Sequence, residues 1–120
     1  MAKRVAVIDD TREFVDLVQR MLEEAGYEVV PILGSLRARE IVKESNPDLI
    51  MLDIMMPGRS GWELLDIFKS DPSTRNIPVI VSTGVRAFTA RMDGRIFDVL
   101  RKPFDIEDLL NKVKSAIGEP

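Results

Sequence analysis

Cysteine and histidine are both absent from the 120 residues. Without cysteine there can be no disulfide and no thiol nucleophile; without either residue, zinc sites of the usual Cys/His kind and every His-based acid/base scheme are excluded. Any chemistry must run on carboxylates, hydroxyls, lysine and a hard metal ion. A surplus of positive charge is missing too: 17 Lys plus Arg face 20 Asp plus Glu, a net charge of -3, which argues against direct nucleic-acid binding. No apolar run approaches the ~20 residues of a membrane span, and "MAKRVAVIDD" turns acidic too soon for a signal peptide, so a cytoplasmic protein is expected. At 45% hydrophobic residues over this length, one domain is expected across residues 1–120, its core running from about 3 to 117 before a frayed "GEP".

Short apolar runs alternate with helical patterns along the chain. "RVAVID", "YEVVPI", "DLIMLD", "PVIVST" and "IFDVL" read as strands, and Thr11–Ala25, Ser35–Ser45, Gly61–Lys69 and Ile106–Ile117 as helices, with a weaker helical pattern over Val85–Met92. That alternation is the signature of an α/β fold with a parallel sheet. The first helix carries Phe14, Leu17, Val18, Met21, Leu22 and Ala25 on one face and stops at Gly26. The last repeats the pattern with Ile106, Leu109, Leu110, Val113 and Ile117 behind an Asp105 cap. "LIMLD" and "VIVS" are nearly all apolar, as strands buried on both faces should be, and belong in the middle of the sheet.

In open parallel sheets ligands bind beyond the carboxyl ends of the strands. The first strand ends in Asp9 and Asp10, the third in Asp53, the fourth in Ser82 and Thr83, and the fifth runs into Lys102 and Pro103. Three converging carboxylates repel one another and lose solvation, a cost that a small hard cation removes. Mg²⁺ takes only one or two carboxylates together with phosphate oxygens, so the same edge has room for a phosphoryl group, with Asp53 as nucleophile and Thr83 and Lys102 neutralising charge. Singly, each residue has a plainer reading: Asp9-Asp10 as a cap and turn, Asp53 and Thr83-Gly84 as turn chemistry, Lys102 as a solvated charge. Their conjunction at successive strand ends favours the site.

The fragments "VIDD", "DLIMLDIMMPGRSGWELL", "IPVIVSTG" and "RKPF", in that order and spacing, make nearly the whole chain resemble a receiver domain of the response regulators of two-component signalling, including the chemotaxis receivers. The resemblance implies a flavodoxin-like three-layer sandwich, a five-stranded parallel sheet of order 2-1-3-4-5 with helices on both faces. It implies that Asp53 accepts a phosphoryl group from a phosphohistidine on a sensor histidine kinase or phosphotransfer protein. Asp9, Asp10, Asp53 and the backbone carbonyl of Met55 would hold Mg²⁺; Thr83 would hydrogen-bond the phosphoryl group and Lys102 pair with it, across a Lys-Pro bond usually cis in the family. The chain itself lacks histidine, so the donor is another chain. Pro57, Gly58 and Gly61 shape the loop after Asp53, and for Trp62 packing is preferred over substrate contact.

Two positions depart from the family pattern. Val99 stands where an aromatic usually changes rotamer on activation; Phe97 shares its face by strand period, a core role being the preferred reading. The segment from Gly84 to Gly94 is about one turn shorter than the family's fourth helix, which is expected to be short or irregular. Both lie on the family's usual output face, where Val99, Phe97 and Arg101 are the candidate switch residues. Arg86, Arg91, Arg95 and Arg101 read as a solvated surface in preference to a site for an acidic partner. Apolar Met55 and Val85, each two residues beyond a site residue, cannot orient a hydrolytic water, so slow loss of the phosphoryl group is expected.

Two enzyme readings are disfavoured: a phosphatase of the haloacid dehalogenase type wants a second acid where Met55 stands, and no Walker-type Gly-rich loop is present. A phosphorylation-independent interaction module is the remaining rival, although such modules usually lose one of the acids or the lysine. A switch without a separate substrate is therefore expected.

Overall fold

The computed structural model describes residues 2–84 and 94–120. In chain order it has β1 (Arg4–Asp9), α1 (Arg12–Glu24), β2 (Glu28–Leu33), α2 (Ala38–Ser45), β3 (Leu49–Asp53), α3 (Gly61–Ser70), β4 (Val79–Thr83), β5 (Asp98–Arg101) and α4 (Ile106–Ile117). The strands form one wholly parallel sheet in the order β2-β1-β3-β4-β5, the flavodoxin-like order expected. The expectation for a short or irregular helix between Gly84 and Gly94 falls mostly on residues 85–93, outside the described ones.

Strand alternation sorts the apolar side chains into two cores. Val5, Val7, Leu49, Met51 and Ile80 pack with Val18 and Leu22 of α1 and with Leu109 and Val113 of α4. Ala6, Ile8, Ile50, Leu52, Val79 and Val81 pack with Val42 of α2 and with Leu64, Leu65 and Phe68 of α3. Helices therefore cover both faces. Every residue of β3 and β4 is buried, which explains their unbroken apolar runs. Each of these buried Val, Leu and Ile side chains contributes about 1.5–3 kcal/mol of transfer free energy relative to exposure. Pro31 sits in β2, an edge strand, where its missing N–H costs no inner ladder bond.

Local chemistry fixes the helix ends. The Asp105 carboxylate accepts the Asp108 N–H at 2.8 Å, the expected cap of α4, and Ser60 Oγ accepts the Glu63 N–H at 3.3 Å to start α3. Gly26 follows α1 at φ 105°, a conformation that disfavours other residues. Gly61 is required for a different reason: a Cβ there would lie 2.3 Å from the Asp53 carbonyl oxygen and 2.6 Å from Ile54 Cα. The start of α3 can press against the end of β3 only because that atom is absent.

Several boundaries and burials differ from expectation. α2 starts at Ala38 rather than Ser35, because residues 35–37 form a turn closed by the Ala38 N–H on the Ser35 carbonyl at 3.4 Å. β5 starts at Asp98 rather than Ile96, and Phe97 is not a core residue: its N–H reaches the Val79 carbonyl at 2.8 Å, yet its side chain is 44% exposed. Leu17 leaves the α1 core stripe in the same way, while Val15, absent from that stripe, is buried. Trp62 packs partly buried against the α2/α3-side core, as expected.

Candidate functional site

The register of the sheet brings the acids together. β1 and β3 pair from Val5 with Leu49 to Ile8 with Leu52, and Asp9 and Asp53 are the next residue on each strand. By alternation both fall on the side of Val5, Val7, Leu49 and Met51, the side covered by α1 and α4. Asp9 and Asp53 are buried and Asp10 is exposed, and ligand oxygens of the three lie within 4.8 Å of one another. On β4, next to β3, Ser82 pairs with Asp53, and the buried Thr83 follows it. The Lys102 N–H donates to the Thr83 carbonyl at 2.8 Å, fixing the loop after β5 to the end of β4.

Lys102 supplies the positive charge. Its Nζ donates to Asp9 Oδ2 at 2.6 Å and lies 4.0 Å from Asp53 Oδ1, and the Lys102-Pro103 bond is cis. The remaining Asp9 oxygen accepts the Thr11 N–H at 3.0 Å, and Asp53 Oδ1 accepts the Met55 N–H at 3.2 Å. These donors do not balance three acids. Burial first, then the Asp9 charge, push the Asp53 carboxyl up to about 6; Lys102 and the Met55 N–H pull the other way, and Asp10 adds to the rise. A carboxylate held that far above its ordinary range is one that a cation would stabilise. The donor set is oxygen only, closely spaced and partly open through Asp10, which fits a hard divalent ion.

Asp9, Asp10, Asp53, Thr83 and Lys102 thus share one edge, as their strand-end positions suggested. Met55 lies in the loop directly beyond, its side chain 64% exposed and apolar. Val99, Phe97 and Arg101 lie on or beside β5, away from the acids; Val99 is partly buried against the α2/α3-side core, and Arg101 is exposed opposite Thr83. One neighbour was missed by sequence reasoning. The Phe14 ring of α1 lies under Lys102, with Nζ 4.0 Å from its centroid. Helical periodicity placed Phe14 in the core stripe, and only its position four residues after Asp10, in the first turn of α1, hints at the site.

The model of the response regulator receiver domain matches residues 5–114. The chain belongs to this family. Receiver domains are switches of two-component signalling and interact with histidine kinases or phosphotransfer proteins. The polar-differentiation response regulator DivK of Brucella ovis is 31% identical over 125 residues, covering 99% of both chains. The DNA-binding dual master transcriptional regulator RpaA of Synechocystis sp. is 33% identical over 117 residues; the match covers 95% of this chain and 48% of RpaA, so the chain spans about half that relative's length. Among solved structures, the N-terminal domain of a response regulator receiver protein from Methanoculleus marisnigri is 32% identical with a TM-score of 0.77, covering 98% of each chain. No helix among the described residues is long and apolar enough to cross a membrane.

Proposed function

We propose that this receiver domain is switched by phosphorylation of Asp53. The observation that carries the reading is the buried Asp53 carboxylate at one edge with Asp9, Asp10 and Lys102, in a donor set that leaves its charge under-compensated. An Asp53 oxygen attacks the phosphorus of a phosphohistidine on a histidine kinase or phosphotransfer protein; an O–P bond forms, the N–P bond breaks, and the departing imidazole takes a proton from solvent. Asp9, Asp10, Asp53 and the Met55 carbonyl are the residues that would hold Mg²⁺, which when bound neutralises charge on the transferring phosphoryl oxygens.

The rest falls to the chain's own groups. Thr83 donates its hydroxyl to the phosphoryl group and the Lys102 ammonium pairs with it, and these charge-assisted contacts favour a second conformation of the domain. The β5 face with Val99, Phe97 and Arg101 carries that change to an output domain or partner. The apolar Met55 side chain offers no hydrogen bond to a hydrolytic water, so the acyl phosphate is long-lived; Val85, the other residue invoked for this, lies outside the described residues.

Intact-mass spectrometry after incubation with acetyl phosphate tests the reading, with and without Mg²⁺ and beside Asp53→Asn. One added phosphoryl group requiring both Mg²⁺ and Asp53 is expected. Absence of the adduct from wild type under every condition would instead favour an interaction module that works without phosphorylation.

A further inference from the structure

We propose that Phe14 is a positioning residue for Lys102, its ring holding the ammonium in place for phosphoryl transfer. The inference rests on the reading of Asp53 as phosphoacceptor and adds a group that touches none of the reacting atoms. Lysine is a point charge on a flexible four-carbon stem, and one hydrogen bond leaves it free to swing. Here two contacts fix it: Asp9 Oδ2 at 2.6 Å and the face of the Phe14 ring, whose centroid is 4.0 Å from Nζ. The ring face carries partial negative charge and attracts a cation without competing for its protons, so the donors of Lys102 stay available to oxygen acceptors.

The ring plane is itself held. Phe104, two residues after Lys102, meets Phe14 edge to face, with centroids 5.8 Å apart and planes at 85°. Lys102, Pro103 and Phe104 thus form one clasp around a ring delivered by the first turn of α1. Phe14 does not belong to the fully buried core; it is partly exposed and lines an apolar groove of about 420 Å³ with Leu17, Met21 and Pro103. A substitution there can remove the π face without opening the core.

The test compares wild type, Phe14→Leu and Phe14→Tyr in two measurements. In NMR spectra of wild type, the Lys102 Cε protons should be shifted upfield by the ring current, the shift lost in Phe14→Leu and kept in Phe14→Tyr. The rate of Asp53 phosphorylation by acetyl phosphate at saturating Mg²⁺, measured well below the melting temperature of every variant, should fall roughly threefold in Phe14→Leu and be restored in Phe14→Tyr. An equal rate in Phe14→Leu, or equal slowing in both variants, would overturn the positioning role. If wild type proves unreactive, the acceptor reading fails, and the absence or presence of the ring-current shift still decides whether Phe14 holds Lys102.

Discussion

The two ends of the sheet treat charge in opposite ways. At the amino ends of the strands, charges and polar groups are matched: Arg4 pairs with Glu28 at 3.3 Å, the Arg4 N–H donates to Asp48 at 2.8 Å, and Tyr27 donates its hydroxyl to the Gly118 carbonyl at 2.7 Å. At the carboxyl ends, where Asp9, Asp10 and Asp53 cluster, Lys102 reaches Asp9 at 2.6 Å and Asp53 at 4.0 Å, and Asp53 stays well above its ordinary carboxyl range. The polar groups at the amino end find their partners within the chain, whereas on the proposed reading the carboxyl end is completed by a cation and a phosphoryl group, and the stability given up there keeps Asp53 ready for both.

The largest effect is expected at Gly61, where α3 meets the end of β3. Gly61→Ala would drive a methyl group into the Asp53 carbonyl and Ile54 Cα, and should cost about 2–3 kcal/mol in denaturant unfolding. A loss confined to a few tenths would show that the α3–β3 contact yields easily. Next in size is Asp53→Asn, which without metal should stabilise the protein at neutral pH by about 1–2 kcal/mol. The sign follows from the raised carboxyl: its proton is held more tightly folded than unfolded, so the site's contribution is favourable at low pH and is lost as pH rises through about 6. The advantage of the variant should therefore vanish as pH falls from about 6 toward about 4, where wild type is protonated too. No change in the difference across that range would contradict the charge imbalance.

Mg²⁺ should close the gap from the other side. At tenfold excess over its dissociation constant it should stabilise wild type by about 1.4 kcal/mol, and Asp53→Asn by much less. Tyr27→Phe, at the matched end, should cost about 1 kcal/mol by removing the hydrogen bond to the Gly118 carbonyl, with no dependence on Mg²⁺. A Mg²⁺-dependent cost at Tyr27 would mean that the two ends are not separable.

Legibility in the sequence followed the same division. The fully buried β3 and β4 announced themselves as unbroken apolar runs, and the site residues were readable because a strand's last residue is fixed by where its apolar run ends. Asp105 and Gly26 marked helix ends through local chemistry that needs no tertiary context. Phe97 and Leu17 misled because periodicity assigns a face without saying whether anything covers it; Phe97 precedes an edge strand, and Leu17 sits at the open rim of a groove. The start of α2 was hidden by a turn whose hydrogen bond imitates a helix's first turn. Phe14 escaped notice because its contact with Lys102 joins residues 88 positions apart, and no local pattern encodes that.

Whether the three acids await a divalent cation is decided by calorimetric titration of Mg²⁺ into wild type, Asp10→Asn and Asp53→Asn at about pH 7.5 and about pH 5, on either side of the Asp53 midpoint. One saturable site is expected in wild type, weakened at the lower pH where Asp53 holds its proton, and strongly weakened in both variants. Wild type without saturable binding, or with binding indifferent to pH and to both substitutions, would contradict that expectation.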